Sequence, residues 1–101
     1  SVLYCIKYEP TYFMNVSYGG FETDEIFEGY IKTVGDITLS KSISDYSTIG
    51  FEFNEYGPST PYIATFKFNK IKYNVNYVLF GIDNRYISFK FKDSNTKRKQ
   101  F

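Results

Sequence analysis

From Tyr62 to Phe91 the large apolar side chains keep returning on alternate positions, and a period of two belongs to extended chain with one face buried and the other wet. Tyr62, Ala64, Phe66 and Phe68 share one parity, with Ile63, Thr65 and Lys67 between them. After Asn69 and Lys70 the apolar set moves to Ile71, Tyr73, Val75, Tyr77 and Leu79, the change of parity that a two-residue hairpin with Asn in a left-handed position produces. This sets Phe68 opposite Ile71, Phe66 opposite Tyr73 and Ala64 opposite Val75. A turn through Gly81, Ile82, Asp83 and Asn84 leads to Ile87, Phe89 and Phe91, and a three-residue loop places Leu79 against Ile87 and Tyr77 against Phe89. Ile49, Phe51 and Phe53 alternate in the same way, and the Pro/Gly-bearing loop Glu55 to Thr60 returns the chain antiparallel. The pattern predicts a four-stranded antiparallel meander from about Thr48 to Lys92.

The first half is less uniform. Val2 to Tyr8 is apolar on both parities, as expected of a strand covered on both faces, and Glu9-Pro10 ends it. Tyr12, Met14 and Val16 share a parity in Thr11 to Ser17, so a first hairpin through Tyr8-Glu9-Pro10-Thr11 is expected, with Gly19 and Gly20 closing it. Then the period changes. Ile26, Phe27, Tyr30, Ile31 and Val34 recur at helical spacing, with Thr23 as N-cap, Asp24 and Glu25 in the first turn and Gly35 just past the end. This predicts one short helix over 24–34, although Gly29 lies inside it and the same apolar residues also suit a strand. Ile37 and Leu39 read as a short strand, and Ser44-Asp45-Tyr46-Ser47 as a polar stretch. The fold class is therefore mainly β (α+β), an antiparallel sheet with the C-terminal meander and one short helix; the alternative is an all-β sandwich or small barrel.

A chain of 101 residues suits one domain with one core, and residues 93–101 read as a basic, polar, frayed tail. Tyr and Phe number 11 each, a balance that favours strands. Cys5 is the one cysteine, so no intramolecular disulfide forms and an oxidising compartment is neither required nor excluded. It reads as a small buried hydrophobe. No apolar run reaches the roughly 20 residues of a membrane span. The expectation is a soluble chain, an intracellular setting slightly favoured and a processed or secreted fragment also allowed. Asn15-Val16-Ser17 fits the glycosylation sequon.

The order Gly35-Asp36-Ile37-Thr38-Leu39, Ile43-Ser44, then Gly81-Ile82-Asp83 before Ile87-Ser88-Phe89 is faintly similar to that of forkhead-associated phosphopeptide-binding domains. Those domains carry an Arg before the first motif and a Ser-x-x-His after it. Here no Arg precedes Asp36 and the chain has no His, so phosphothreonine capture is not expected.

The missing His removes the commonest general base, the commonest metal ligand and the usual partner of a Ser or Cys nucleophile. Neither a Walker loop nor G-x-G-x-x-G occurs. Glu22, Asp24, Glu25 and Glu28 are the nearest approach to paired carboxylates, and they read as solvated acids in the first turn of the expected helix. The expectation is no enzyme, no cofactor and no metal.

Charge is the informative feature. The net value of +1 hides a split: residues 1–57 hold nine acids and three bases, whereas residues 58–101 hold two acids and nine bases. Such asymmetry hints at an anionic partner. In the expected registers Lys67 lies opposite Lys72, and Lys90 and Lys92 share the outward parity of the next strand, with Tyr86 as a stacking face. These five residues form the expected binding surface. The expected function is a small non-enzymatic protein-interaction or inhibitory module, of the kind that viruses and bacteria encode, binding a protein partner through a charged sheet face or loops. The alternative is nucleic-acid binding through the basic C-terminal sheet face.

Overall fold

A computed structural model describes residues 2–7, 12–21, 24–54, 57, 64–80 and 86–92. Eight strands run β1 (Val2–Lys7), β2 (Tyr12–Tyr18), β3 (Glu25–Ile31), β4 (Gly35–Thr38), β5 (Ser47–Asn54), β6 (Ala64–Ile71), β7 (Tyr77–Phe80) and β8 (Tyr86–Lys92). They form two antiparallel four-stranded sheets, sheet I in the order β4-β1-β8-β7 and sheet II in the order β3-β2-β5-β6. The sheets pack face to face as an open sandwich without barrel closure. Phe51 of β5 meets Phe89 and Phe91 of β8 across the core at 5.7 and 6.2 Å, and Phe68 of β6 meets Tyr77 of β7 at 5.2 Å. Leu3, Met14, Val16, Ile49, Ile71, Leu79 and Ile87 fill the space around these rings.

The expected alternation holds on both sides of this core. Ile49, Phe51 and Phe53 face inward and pair with Phe68, Phe66 and Ala64. Leu79 pairs with Ile87 and Tyr77 with Phe89, in the expected registers. The meander is nevertheless divided. β5 and β6 belong to sheet II, β7 and β8 to sheet I, and no hairpin joins β6 to β7. The turn signal at Asn69-Lys70 is spent on a bulge: Ile49 pairs with Phe68 and Ser47 with Ile71, so β6 carries one extra residue there, and Lys70 takes a left-handed backbone (φ 59°). β6 runs on to Ile71, and residues 72–76 then cross to the other sheet. The pairings of Phe68 with Ile71, Phe66 with Tyr73 and Ala64 with Val75 do not form, and Val75 is exposed.

The helix expected over 24–34 is also replaced, by strand β3, and no helix occurs among the described residues. A second bulge explains the helical spacing. Val16 pairs with Phe27 and Ser17 with Glu25, leaving Ile26 as the extra residue, so the consecutive Ile26 and Phe27 both contribute to the core. Tyr30 and Ile31 then point to opposite faces: Ile31 is buried, while Tyr30 packs edge-on to Phe13 outside the sheet at 5.1 Å. The glycine that weakened the helix has a use in the strand, because the tip of the Phe27 ring lies 3.1 Å from where a Cβ of Gly29 would sit.

The expected first hairpin does not pair either, since β1 joins β4 and β8 in sheet I while β2 joins β3 and β5 in sheet II. The expected turns at 8–11 and 81–84 and the 93–101 tail lie outside the described residues, as does all of the 55–60 loop except Gly57.

Candidate functional site

Of the five residues expected to form one basic surface, one lies on sheet II, three on sheet I and one in the segment between them. Lys67 projects from the outer face of sheet II, where it pairs with Gly50 and lays its alkyl chain over Gly20. Lys72 lies beyond the end of β6. Lys90 and Lys92 have the outward parity of β8 in sheet I, so they face away from Lys67, and Tyr86 begins the same strand. For Tyr86 only the backbone is described, paired with Phe80. The sheet crossing at residues 72–76 is the physical reason: outward on β6 and outward on β8 are opposite sides of a sandwich.

On sheet I, Tyr4 pairs with Asp36 on one side and Lys90 on the other. The Lys92 ammonium lies 4.5 Å above the Tyr4 ring and 2.7 Å from Asp36 Oδ1, with Lys90 Nζ at 5.9 Å from the same ring. Asp36 thus neutralises one lysine of the expected pair, and the ring braces both.

On sheet II the outer face of β2 is polar and almost closed to water. Asn15 is 6% exposed; its Nδ2 donates to Glu25 Oε2 and its Oδ1 accepts from Ser17 Oγ at 2.9 Å. The sequon asparagine is therefore an internal strut. Glu28 and Glu52 flank it in register. Glu28 titrates above the usual carboxylate range because it shares a hydrogen bond with Glu25, with desolvation and charge repulsion adding to the effect. Glu52 is pushed up by burial. Asp24, the remaining described acid of the supposed helix, pairs with Lys41 at 2.5 Å. No group of three or more His, Cys, Asp or Glu is arranged to hold a metal ion among the described residues.

The arrangement least explained by folding is at one end of the sandwich. Tyr46 has a left-handed backbone (φ 70°) and is 64% exposed, the most exposed large apolar side chain among the described residues. Its turn is held from both directions: Tyr46 N donates to Ile71 O at 2.6 Å, Tyr73 N donates to Asp45 Oδ1 at 3.1 Å, and Ser47 Oγ donates to Ser44 O at 2.7 Å. The Tyr73 hydroxyl donates to Ile43 O beneath it. Lys72 Nζ sits 5.2 Å from the centre of the Tyr46 ring, and Val75, 42% exposed, follows in the same crossing segment. Lys72 is thus the one expected site residue found beside an exposed aromatic ring. By sequence Tyr46 reads as part of a polar stretch; its one signal is an aromatic residue isolated among Ser and Asp, with no alternating partner to mark it as core.

No protein-family model matches the chain, and comparison with curated proteins and with solved structures finds no match.

Proposed function

We propose that this domain is a non-enzymatic protein-binding module whose contact centre is the Tyr46 turn. The observation that carries the proposal is the exposed, left-handed Tyr46. A bulky residue in that conformation costs about 1–2 kcal/mol, and Gly or Asn would occupy it more cheaply. Burial returns little, because most of the ring is in water, and a cation over an exposed ring returns only about 0.5–1 kcal/mol. The hydrogen bonds of the turn hold the backbone, but they do not require a tyrosine there, and an exposed ring on a fixed turn is suited to a partner that covers it. Tyrosine is also among the residues enriched at the energetic centres of protein interfaces. The partner best suited to it sets an apolar group against Tyr46 and a carboxylate against Lys72. A rigid turn of this kind serves inhibition as readily as adaptor binding. The protein-binding reading is preferred to the nucleic-acid alternative because Lys67 lies on sheet II and Lys90 and Lys92 on sheet I.

The test is affinity capture from the native source with mass spectrometry, followed by titration of the captured protein. Tyr46→Asn should weaken binding at least tenfold, about 1.4 kcal/mol, with the circular dichroism unchanged. Lys72→Gln should lower affinity and salt sensitivity together. Equal binding by wild type and Tyr46→Asn would overturn the proposal.

A further inference from the structure

We propose that copies of this chain associate head-to-tail, with β6 of one copy adding to β3 of the next so that sheet II continues from one molecule into another. β3 and β6 are the two edges of sheet II. An unpaired edge presents a row of backbone donors and acceptors to any strand that fits it. At the start of β3 that row is engaged, where Ser40 N donates to Ile26 O at 2.9 Å; from Phe27 to Ile31 no strand lies outside it among the described residues.

The two edges fit each other in direction. Three antiparallel pairings separate them, so β3 and β6 run in opposite senses, and sliding a copy sideways with the same face outward brings them together antiparallel. They also fit in backbone phase. Successive residues of a strand direct their amide groups alternately to its two sides. Asn15 pairs with both Glu28 and Glu52, and Glu52 pairs with Thr65. It follows that Glu28, Thr65 and, two residues on, Lys67 all direct their amide groups alike relative to the sheet edge. Pairing Glu28 with Lys67 is therefore allowed on both counts of face and hydrogen bonding.

In that register the side chains are complementary on both faces. Outside, Glu28 meets Lys67 and Tyr30 meets Thr65, while Glu25 approaches Lys70. Glu28 and Glu25 share a hydrogen bond and lie side by side with no cation within ion-pair distance among the described residues, and Lys67 has no carboxylate there. The contact puts each group beside the charge it lacks. Inside, Phe68 meets Phe27, and Phe66 meets Gly29 beside the tip of the Phe27 ring that lies over it. All three rings are only half-buried in one copy. Phe27 and Ile31 also line a cleft of about 410 Å³ that opens between β3 and β4 and reaches Ile37, and the Phe66 and Phe68 rings of a neighbour would lie at its mouth. Tyr77 of β7 touches Phe68 of β6, so the same shift carries β7 towards β4 and extends sheet I as well. Such a contact uses different surfaces on the two copies, so it grows into a chain or closes as a ring.

Sedimentation equilibrium of the whole chain tests this. The wild type should show a mass that rises with concentration and falls between about 0.05 and 0.5 M salt as the charge pairs are screened. Lys67→Glu and Glu28→Lys, both at exposed positions, should each stay monomeric with unchanged circular dichroism. An equimolar mixture of the two variants should regain the wild-type behaviour, because each junction then pairs an introduced charge with an introduced charge or a native one with a native one. A monomeric wild type throughout, single variants that associate like the wild type, or a mixture that stays monomeric would each overturn the proposal.

Discussion

The rings of Phe51 and Phe89 lie 5.7 Å apart and almost parallel, at 9°, and neither ring is accessible to water. They belong to different sheets, so the pair is a fastening between the two layers. Phe89→Ala should cost about 3–5 kcal/mol, the loss typical of a fully buried ring. Phe66→Ala, on an edge strand and half-buried, should cost less, about 1–2 kcal/mol. Urea unfolding of the two variants gives the ordering, and an equal loss would contradict the difference in burial.

Gly50→Ala should destabilise by about 1–3 kcal/mol through overpacking. Its Cβ would lie 2.7 Å from the Phe21 ring and 3.0 Å from the carbonyl carbon of Gly20. The ring can swing away and the backbone cannot, so adding Phe21→Ala should recover only part of the loss in thermal unfolding.

Asn15→Asp should be worse than a simple loss of one hydrogen bond. The substitution removes the donor to Glu25 and sets a second carboxylate beside it in a nearly closed site. The expected cost is about 2–3 kcal/mol at neutral pH, partly recovered near pH 4, where carboxylates protonate. Denaturant midpoints at the two pH values measure it.

Burial raises Glu52 above its ordinary value of 4.5, so the folded state holds that proton more tightly than the unfolded state. Its protonation favours folding below that ordinary value, and the advantage is lost as the pH rises through the folded pKa. Glu52→Gln should therefore raise the unfolding midpoint at pH 7 and make little difference below about pH 4.

Tyr46→Asn should leave the domain as stable as the wild type or more so, by up to about 1 kcal/mol, since Asn adopts φ 70° more readily than Tyr. A clear loss of stability would mean that the ring is part of the fold.

Alternation told which side chains point inward, and for Ile49, Phe51, Phe53, Leu79, Ile87 and Phe89 it told this correctly. It could not tell a neighbour within the sheet from a neighbour across the core. The aromatics of β6 and β7 have the same parity whether they are adjacent strands of one sheet or face each other in a sandwich, so a Phe68–Tyr77 contact between layers leaves the same trace as a hairpin. The lysines inherit that ambiguity: outward was legible, and the side of the molecule was not. The bulge at Ile26 imitated helical spacing because it brings two consecutive residues to the core. Tyr46 was invisible for another reason, since the sign of its φ is set by hydrogen bonds to Ile71 and from Tyr73, residues far along the chain.

The central pairing of sheet I has a consequence for synthesis. Leu3 pairs with Phe91, and Val2 with Lys92, so β1, which has β4 on its other side, gains its second neighbour only when β8 has been made. Sheet II is complete once Ile71 has been added. At about 5–20 residues per second, the remaining strands take roughly 1–4 seconds to emerge. During that interval only β1 and β4 of sheet I exist to face sheet II, and Phe51 lacks Phe89 and Phe91, the rings it packs against. The arrival of β8 therefore closes both the middle of sheet I and the aromatic centre of the core in one step.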